Sequence, residues 1–276
     1  MTCLDVLRGT SAFSVHSATN EPVRELDRAH VWFGDLDAVP QLDTARRVVL
    51  SANERARADR LRSLRLRRRF EARCMLVRHV LGPVVGVSPE ALAFETTANG
   101  KPRLVLPGRA AGGRAAALDF NLSHSEHVLV LAVALDRQVG VDIEVVQPGV
   151  DVLAVAEAQC TAGELAWLRA LPPEQQRPAF YRLWTRTEAI SKVSGQGIAS
   201  PPVATPSLAA LHSFQFRPGE TDVIGALALD VEVRRGATAD RGGVAPCPVG
   251  QVRRALGRDR LGSAVGAAQR IFAKEG

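Results

Sequence analysis

Aromatic side chains make up only 5% of the 276 residues, with three tryptophans and a single tyrosine, and cysteine occurs only four times. Cys3, Cys74, Cys160 and Cys247 are scattered with no C-x-x-C pair, which argues against a zinc site or a disulfide framework. They read as reduced thiols, with Cys74 packing as a small apolar side chain inside a helical pattern. The longest apolar run, Val128 to Leu135, has eight residues, far below the ~18 to 20 that a membrane helix requires. Met1-Thr2-Cys3-Leu4-Asp5 has no basic stretch leading into an apolar one. No secretory signal is read there, and a cytoplasmic protein with no membrane partner is expected.

Hydrophobic residues at 46% and charged residues at 23% are ordinary globular values, and the length permits a substantial core in one large or two small domains. The net charge of +6 is unevenly placed. Between Arg55 and Arg69 stand eight arginines against one acid, Asp59, a local surplus larger than that of the whole chain. Such a segment favours anionic partners: nucleic acid, the phosphates of a cofactor or an acidic protein. It is equally readable as a solvated arginine-rich helix face. No aromatic residue lies between Arg55 and Arg69, so the stacking platforms of single-strand binders are missing there, and no nucleic-acid partner is expected.

Periodicity gives an α+β fold. Val31-Trp32-Phe33 reads as a strand, and Ser51 with Glu54 has capping-box spacing for a helix through the arginines, with Leu61 and Leu64 on its apolar side. Phe70, Cys74, Val77 and Leu81 predict a second helix over 67–81, stopped by Gly82-Pro83. Strands are predicted at 92–96 and 103–106 around Asn99-Gly100, then at 120–125, 128–135 and 139–145, with a loop at 108–117. Helices follow at 151–159, 161–170 (opened by Thr161 and Glu164) and 174–194, the last stopped by Gly195. Strand-like sequence returns at 213–217 and 223–233. Helices and strands thus recur in two loosely similar halves with mainly antiparallel sheets. The expected division is 1–138, 139–233 and a peripheral or disordered tail over 234–276.

Two segments carry chemistry. In the strand Gly140-Val141-Asp142-Ile143-Glu144, alternation puts both carboxylates on one face while Val141 and Ile143 bury the other. In Trp184-Thr185-Arg186-Thr187-Glu188-Ala189-Ile190-Ser191-Lys192, residues 184, 188 and 192 fall on one helix face. Two carboxylates, a third on the helix and an ammonium one turn away suit a hard divalent cation held with a phosphate. Taken singly, the strand end and the Glu188–Lys192 pair are each readable as solvated surface.

Together with Asn99-Gly100-Lys101-Pro102, Phe120-Asn121-Leu122-Ser123-His124-Ser125 and Leu183-Trp184-Thr185, these motifs occur in one order over residues ~50 to ~200. In that order and spacing the chain resembles the 4′-phosphopantetheinyl transferases of the surfactin-synthetase type. The resemblance implies two pseudo-symmetric α/β halves with coenzyme A and Mg²⁺ between them. It also implies transfer of the phosphopantetheine arm to a serine of an acyl or peptidyl carrier protein, releasing 3′,5′-ADP. An acidic carrier is expected to meet the arginine-rich surface, and a monomer is expected. Asp142, Glu144 and Glu188 match the family's acidic triad and are the expected metal ligands, with Glu188 alternatively accepting the serine proton. Lys192 matches the phosphate-contacting lysine; Asp142, Glu188 and Lys192 are the expected catalytic residues. Ser123 and His124 match the coenzyme A pair, with His124 at the 3′-phosphate. Lys101 and Pro102 border the adenine and its phosphate, and Arg69 and Arg73 fall near the nucleotide.

Two departures stand out. Thr187 replaces the lysine that the family usually carries before the helix glutamate, and Arg186 is off by about 100° of helix rotation. The sequence after Ser213 is hard to match to the family's closing strands. These motivate a second reading, a coenzyme A-binding homologue with impaired catalysis. A Ser123–His124 hydrolase is disfavoured, because neighbours on a strand point to opposite faces and no nucleophile elbow surrounds them. As a metal ligand at a strand surface, Asp142 is expected to be dispensable for the fold.

Overall fold

The structure is a computed structural model that describes residues 13–14, 29–39, 46–97, 100–105, 118–135, 137–195 and 208–230. The readings for Asn99, the 108–117 loop and the 234–276 tail lie outside the described residues. The first sheet is antiparallel, with spatial order β1 (Phe13–Ser14), β2 (Ala29–Asp35), β6 (Val128–Leu135), β5 (Leu118–Ser125). A hairpin, β3 (Ala93–Thr96) and β4 (Pro102–Val105), lies beside it, turning through Gly100 at φ 84°. The second sheet runs β7 (Val139–Val145), β9 (Val223–Asp230), β8 (Leu208–Phe216), again antiparallel. Helices and antiparallel sheets together make an α+β fold, as expected.

Strand β6 explains how the layers stack. Its apolar residues are continuous because both faces are covered. Val128, Val130, Ala132 and Ala134 join Val139, Val141, Ile143 and Val145 of β7 in a core between the two sheets. Leu129, Leu131 and Val133 point the other way, onto helix α2 (Leu64–Val85). The second sheet carries its own long helix, α5 (Pro173–Ser194), packed on β7 and β9. Both helices span 22 residues and both end on a left-handed glycine, Gly86 at φ 74° and Gly195 at φ 72°. Two short helices, α3 (Val152–Gln159) and α4 (Ala162–Ala170), connect β7 to α5. The Thr161–Glu164 capping box opens α4 as its sequence predicts.

Two helix boundaries differ from expectation. The arginine-rich segment is not one helix: α1 (Ala52–Arg60), opened by the Ser51–Glu54 box, stops at Leu61, and Ser63 caps a fresh start at Leu64. Helix α2 also runs past Gly82 and Pro83 to Val85, because Leu81 and Val85 both bury in the core against Phe120 and Leu131. Tertiary burial outweighs the local stop signal.

Several arginines of the basic stretch turn inward. Arg69 is buried and grips Asp37 with two bonds of 2.7 Å. Arg55 and Arg67 donate to the carbonyls of Leu50 and Asp59. Part of that surplus charge is structural, closing the bend between α1 and α2.

Candidate active site

Gly140 sets the distance between β7 and α5. A Cβ there would lie 2.7 Å from the Val193 nitrogen and 3.0 Å from the Lys192 carbonyl carbon, with the Ala189 carbonyl oxygen nearer still. Ala226 and Ala228 of β9 and Ala189 and Val193 of α5 continue this close seam. The consequence is that side chains of β7 reach those of the helix. Lys192 Nζ donates to Asp142 Oδ1 at 2.6 Å, and Ser123 Oγ of β5 donates to the same oxygen at 2.9 Å.

Asp142 is not a surface carboxylate. Its side chain is 5% exposed, and strand β7 is covered on both faces rather than on the Val141 and Ile143 face alone. The expectation that it is dispensable for the fold is corrected accordingly: it is the buried partner of an ion pair. Its second oxygen, Oδ2, is buried with no hydrogen-bond partner. A buried carboxylate oxygen without a donor is costly unless something cationic meets it.

The neighbouring acids register the same shortage of positive charge. Burial first, and then the Asp142 charge, push the Glu144 carboxyl up to about 8, against a 2.8 Å bond from Ser125 Oγ and the pull of Lys192. Burial and Asp142 likewise push Glu188 up to about 7. Burial would lower the Lys192 ammonium, but Asp142, then Glu188 and Glu144, raise it overall. One ammonium thus faces three carboxylates, a donor set of hard oxygens with one orphaned atom, which fits a divalent cation such as Mg²⁺. Among the described residues, no three histidine, cysteine, aspartate or glutamate side chains stand close enough together to hold a metal ion by themselves. Magnesium does not require such a group, since it retains water and completes its shell from substrate phosphates.

The remaining predicted residues separate into two places. His124 and Arg73 meet at the exposed end of β5, Arg73 Nη1 lying 3.0 Å from His124 Nε2. A guanidinium only donates, so Nε2 accepts and the ring is neutral with its proton on Nδ1. Crowding that removes water, followed by the charges of Arg73, Lys192 and Arg69, holds the imidazole well below its usual range, although its rim is solvent-exposed. Arg73 and Arg57 both lie over the Phe70 ring, 5.0 and 5.2 Å from its centroid. Arg57 is a cation that sequence reasoning did not single out; its i, i+13 relation to Phe70 crosses a helix break and left no periodic signal.

Lys101 sits elsewhere. Its ammonium is bound by Asp119 Oδ2 at 2.5 Å, the Val139 carbonyl at 3.0 Å and the Val193 carbonyl at 3.1 Å, and its side chain is 8% exposed. It ties β5, β7 and α5 together with all three donors engaged, while Pro102 begins β4 beside it. Thr187 Oγ1 bonds back to the Leu183 carbonyl at 3.1 Å, so it supplies no charge, and Arg186 is exposed.

Clustered carboxylate oxygens beside an ammonium and a guanidinium suit an enzyme that moves a phosphorylated group. Comparison with known proteins agrees. The family model of the 4′-phosphopantetheinyl transferase superfamily matches residues 138–227. The chain is 38% identical over 173 residues to the 4′-phosphopantetheinyl transferase HetI of Nostoc sp., covering 63% of this chain and 71% of that protein. It is 36% identical over 165 residues to the transferase psf-1 of Bacillus pumilus, covering 60% and 66% of the two chains. An 88-residue stretch is 44% identical to AcpT of Salmonella typhimurium, 32% of this chain and 46% of that one. The protein belongs to the 4′-phosphopantetheinyl transferase superfamily and is a transferase.

Proposed function

We propose that this enzyme transfers the 4′-phosphopantetheine arm of coenzyme A to a serine of an apo acyl or peptidyl carrier protein in a Mg²⁺-dependent reaction. The observation that carries this reading is Asp142: buried, paired on one oxygen with Lys192 and Ser123, unpartnered on the other, and flanked by two carboxylates whose protons are held unusually tightly. In this reading the chain divides near residue 138, and coenzyme A lies between the halves. Asp142 and Glu144 hold the metal. Glu188 either adds a further oxygen or accepts the serine proton.

The serine Oγ forms a bond to the β-phosphorus while the bond from that phosphorus to the bridging oxygen breaks, so 3′,5′-ADP leaves and the serine proton passes to a carboxylate. Magnesium held by these carboxylates would supply charge neutralisation on the pyrophosphate oxygens and on the leaving group. Lys192, which donates to Asp142, would also offer its ammonium to phosphate, a point-charge task that suits lysine. Arg73 and His124 hold the nucleotide end, with Ser123 alongside. Lys101 supports the site from behind through Val139 and Val193 rather than touching nucleotide, and Arg69 fixes the α2 end that carries Arg73.

The test is incubation with coenzyme A, Mg²⁺ and a panel of apo carrier proteins, read by mass spectrometry and by release of 3′,5′-ADP, with a chelator control. A mass gain of one phosphopantetheine that the chelator abolishes is expected. Coenzyme A binding without any mass gain across the panel would overturn the reading in favour of a homologue impaired by Thr187.

A further inference from the structure

Every second side chain of β5 takes a backbone N–H of β7. Asp119 Oδ2 accepts from Val139 at 2.8 Å, Asn121 Oδ1 from Val141 at 2.8 Å, Ser123 Oγ from Ile143 at 3.3 Å, and Ser125 Oγ from Val145 at 3.0 Å. Strands β5 and β7 belong to different sheets, so this side-chain ladder joins them in place of a strand pairing. Its four rungs are not equivalent. Asp119 and Asn121 use oxygen acceptors alone, whereas each serine also has a proton to give. Ser123 gives its proton to Asp142 Oδ1, and Ser125 gives its own to Glu144 Oε2 at 2.8 Å. The same unit is built twice, two residues apart.

A hydroxyl has one proton and two lone pairs. With a lone pair engaged by the Val145 amide and the proton committed to Glu144, the Ser125 rotor has one setting, and the carboxylate is registered to the backbone of its own strand. Among the described residues, Ser125 is the only hydrogen-bond donor to the Glu144 side chain. The geometry points to Ser125 as a positioning residue of the transfer, one that orients Glu144 towards the cation and the pyrophosphate. This inference rests on the transferase reading above. Partners of this kind, which orient a ligating carboxylate, typically contribute ten- to a hundredfold to affinity or rate.

The experiment compares Ser125→Ala, Ser125→Thr, Asn121→Ala and Glu144→Gln in the full chain, measuring kcat, KM for coenzyme A, thermal midpoint, and Mn²⁺ affinity by electron paramagnetic resonance without coenzyme A. Ser125→Ala should lower kcat and Mn²⁺ affinity by about ten- to a hundredfold with KM for coenzyme A little changed. Ser125→Thr, which keeps the hydroxyl, should recover most of both. Asn121→Ala removes a rung that touches no carboxylate, so it should cost stability without a matching fall in kcat. The proposal is overturned by a normal Ser125→Ala enzyme, by failure of threonine to rescue, or by kcat losses that track thermal midpoint equally in Ser125→Ala and Asn121→Ala. If Asn121→Ala does not fold, the alanine–threonine comparison decides alone. A Glu144→Gln enzyme as active as wild type would mark instead the failure of the site assignment, and Ser125 would fall with it.

Discussion

Replacing Gly140 with alanine tests the central geometry, because it acts on the spacing of β7 and α5 without removing any functional group. The new methyl would meet backbone atoms of α5, including the Val193 nitrogen at 2.7 Å and the Lys192 carbonyl carbon at 3.0 Å. Ordinary contact begins near 3.4 Å. The Val193 contact alone therefore requires a shift of at least about 0.7 Å, and the nearer Ala189 oxygen raises the total to on the order of 1 Å. Backbone of a packed helix yields poorly, so the cost belongs at the upper end of the overpacking range, about 3 kcal/mol. For a chain of this size that is a loss of about 6 to 12 °C in thermal midpoint. The displaced segment carries Glu188 and Lys192, and a misplacement near 1 Å costs about a hundredfold in rate. Calorimetry and carrier-loading kinetics on Gly140→Ala measure both, with Gly163→Ala as a control, since a methyl there meets nothing within 4 Å. A Gly140→Ala protein with wild-type melting and wild-type turnover would refute the coupling of helix spacing to the site.

Lys101→Ala leaves the half-buried Asp119 carboxylate and two carbonyls without their cation, and a destabilisation of about 3 kcal/mol, the low end for breaking a buried pair, is expected; a variant that melts normally but shows a raised KM for coenzyme A would return Lys101 to the nucleotide. Asp142→Asn should abolish loading and also abolish the upward shift of thermal midpoint that saturating Mg²⁺ produces in the wild type, about 2.7 kcal/mol at a hundredfold excess over Kd; persistence of that shift would remove Asp142 from the metal. For His124 the folded pKa is depressed from 6.5 towards about 4, so the unfolded chain binds its proton first and stability falls as pH drops through that window. His124→Asn should flatten the acid limb of thermal midpoint against pH between those values, and an unchanged limb would place the proton uptake elsewhere.

Much of the site was legible in the sequence because its determinants are local. Alternation in Gly140 to Glu144 and the four-residue spacing of Trp184, Glu188 and Lys192 depend only on strand and helix geometry, and the residues of both segments meet through Asp142 and Lys192. What the sequence conceals is which faces become covered. Asp119, Asn121, Ser123 and Ser125 alternate plainly, but a polar strand face reads as a solvated one; here it meets the amides of β7. Lys101 is a similar case, since nothing near it in sequence announces carbonyls 38 and 92 residues away. At the helix ends, Gly82 and Pro83 sent a sound local signal that the burial of Val85 overrode.

Strands β5 and β7 are each the outermost strand of their sheet, and an outermost strand ordinarily presents free amides on which another chain can polymerise. The polar ladder quiets that hazard from within: the outward amides of β7 are consumed by side chains, which cannot propagate a β-structure. A fragment beginning at β7, released from β5 by a cut near residue 138, would regain that sticky row of donors. Covering the second sheet with the first thus guards an exposed edge as well as building the site.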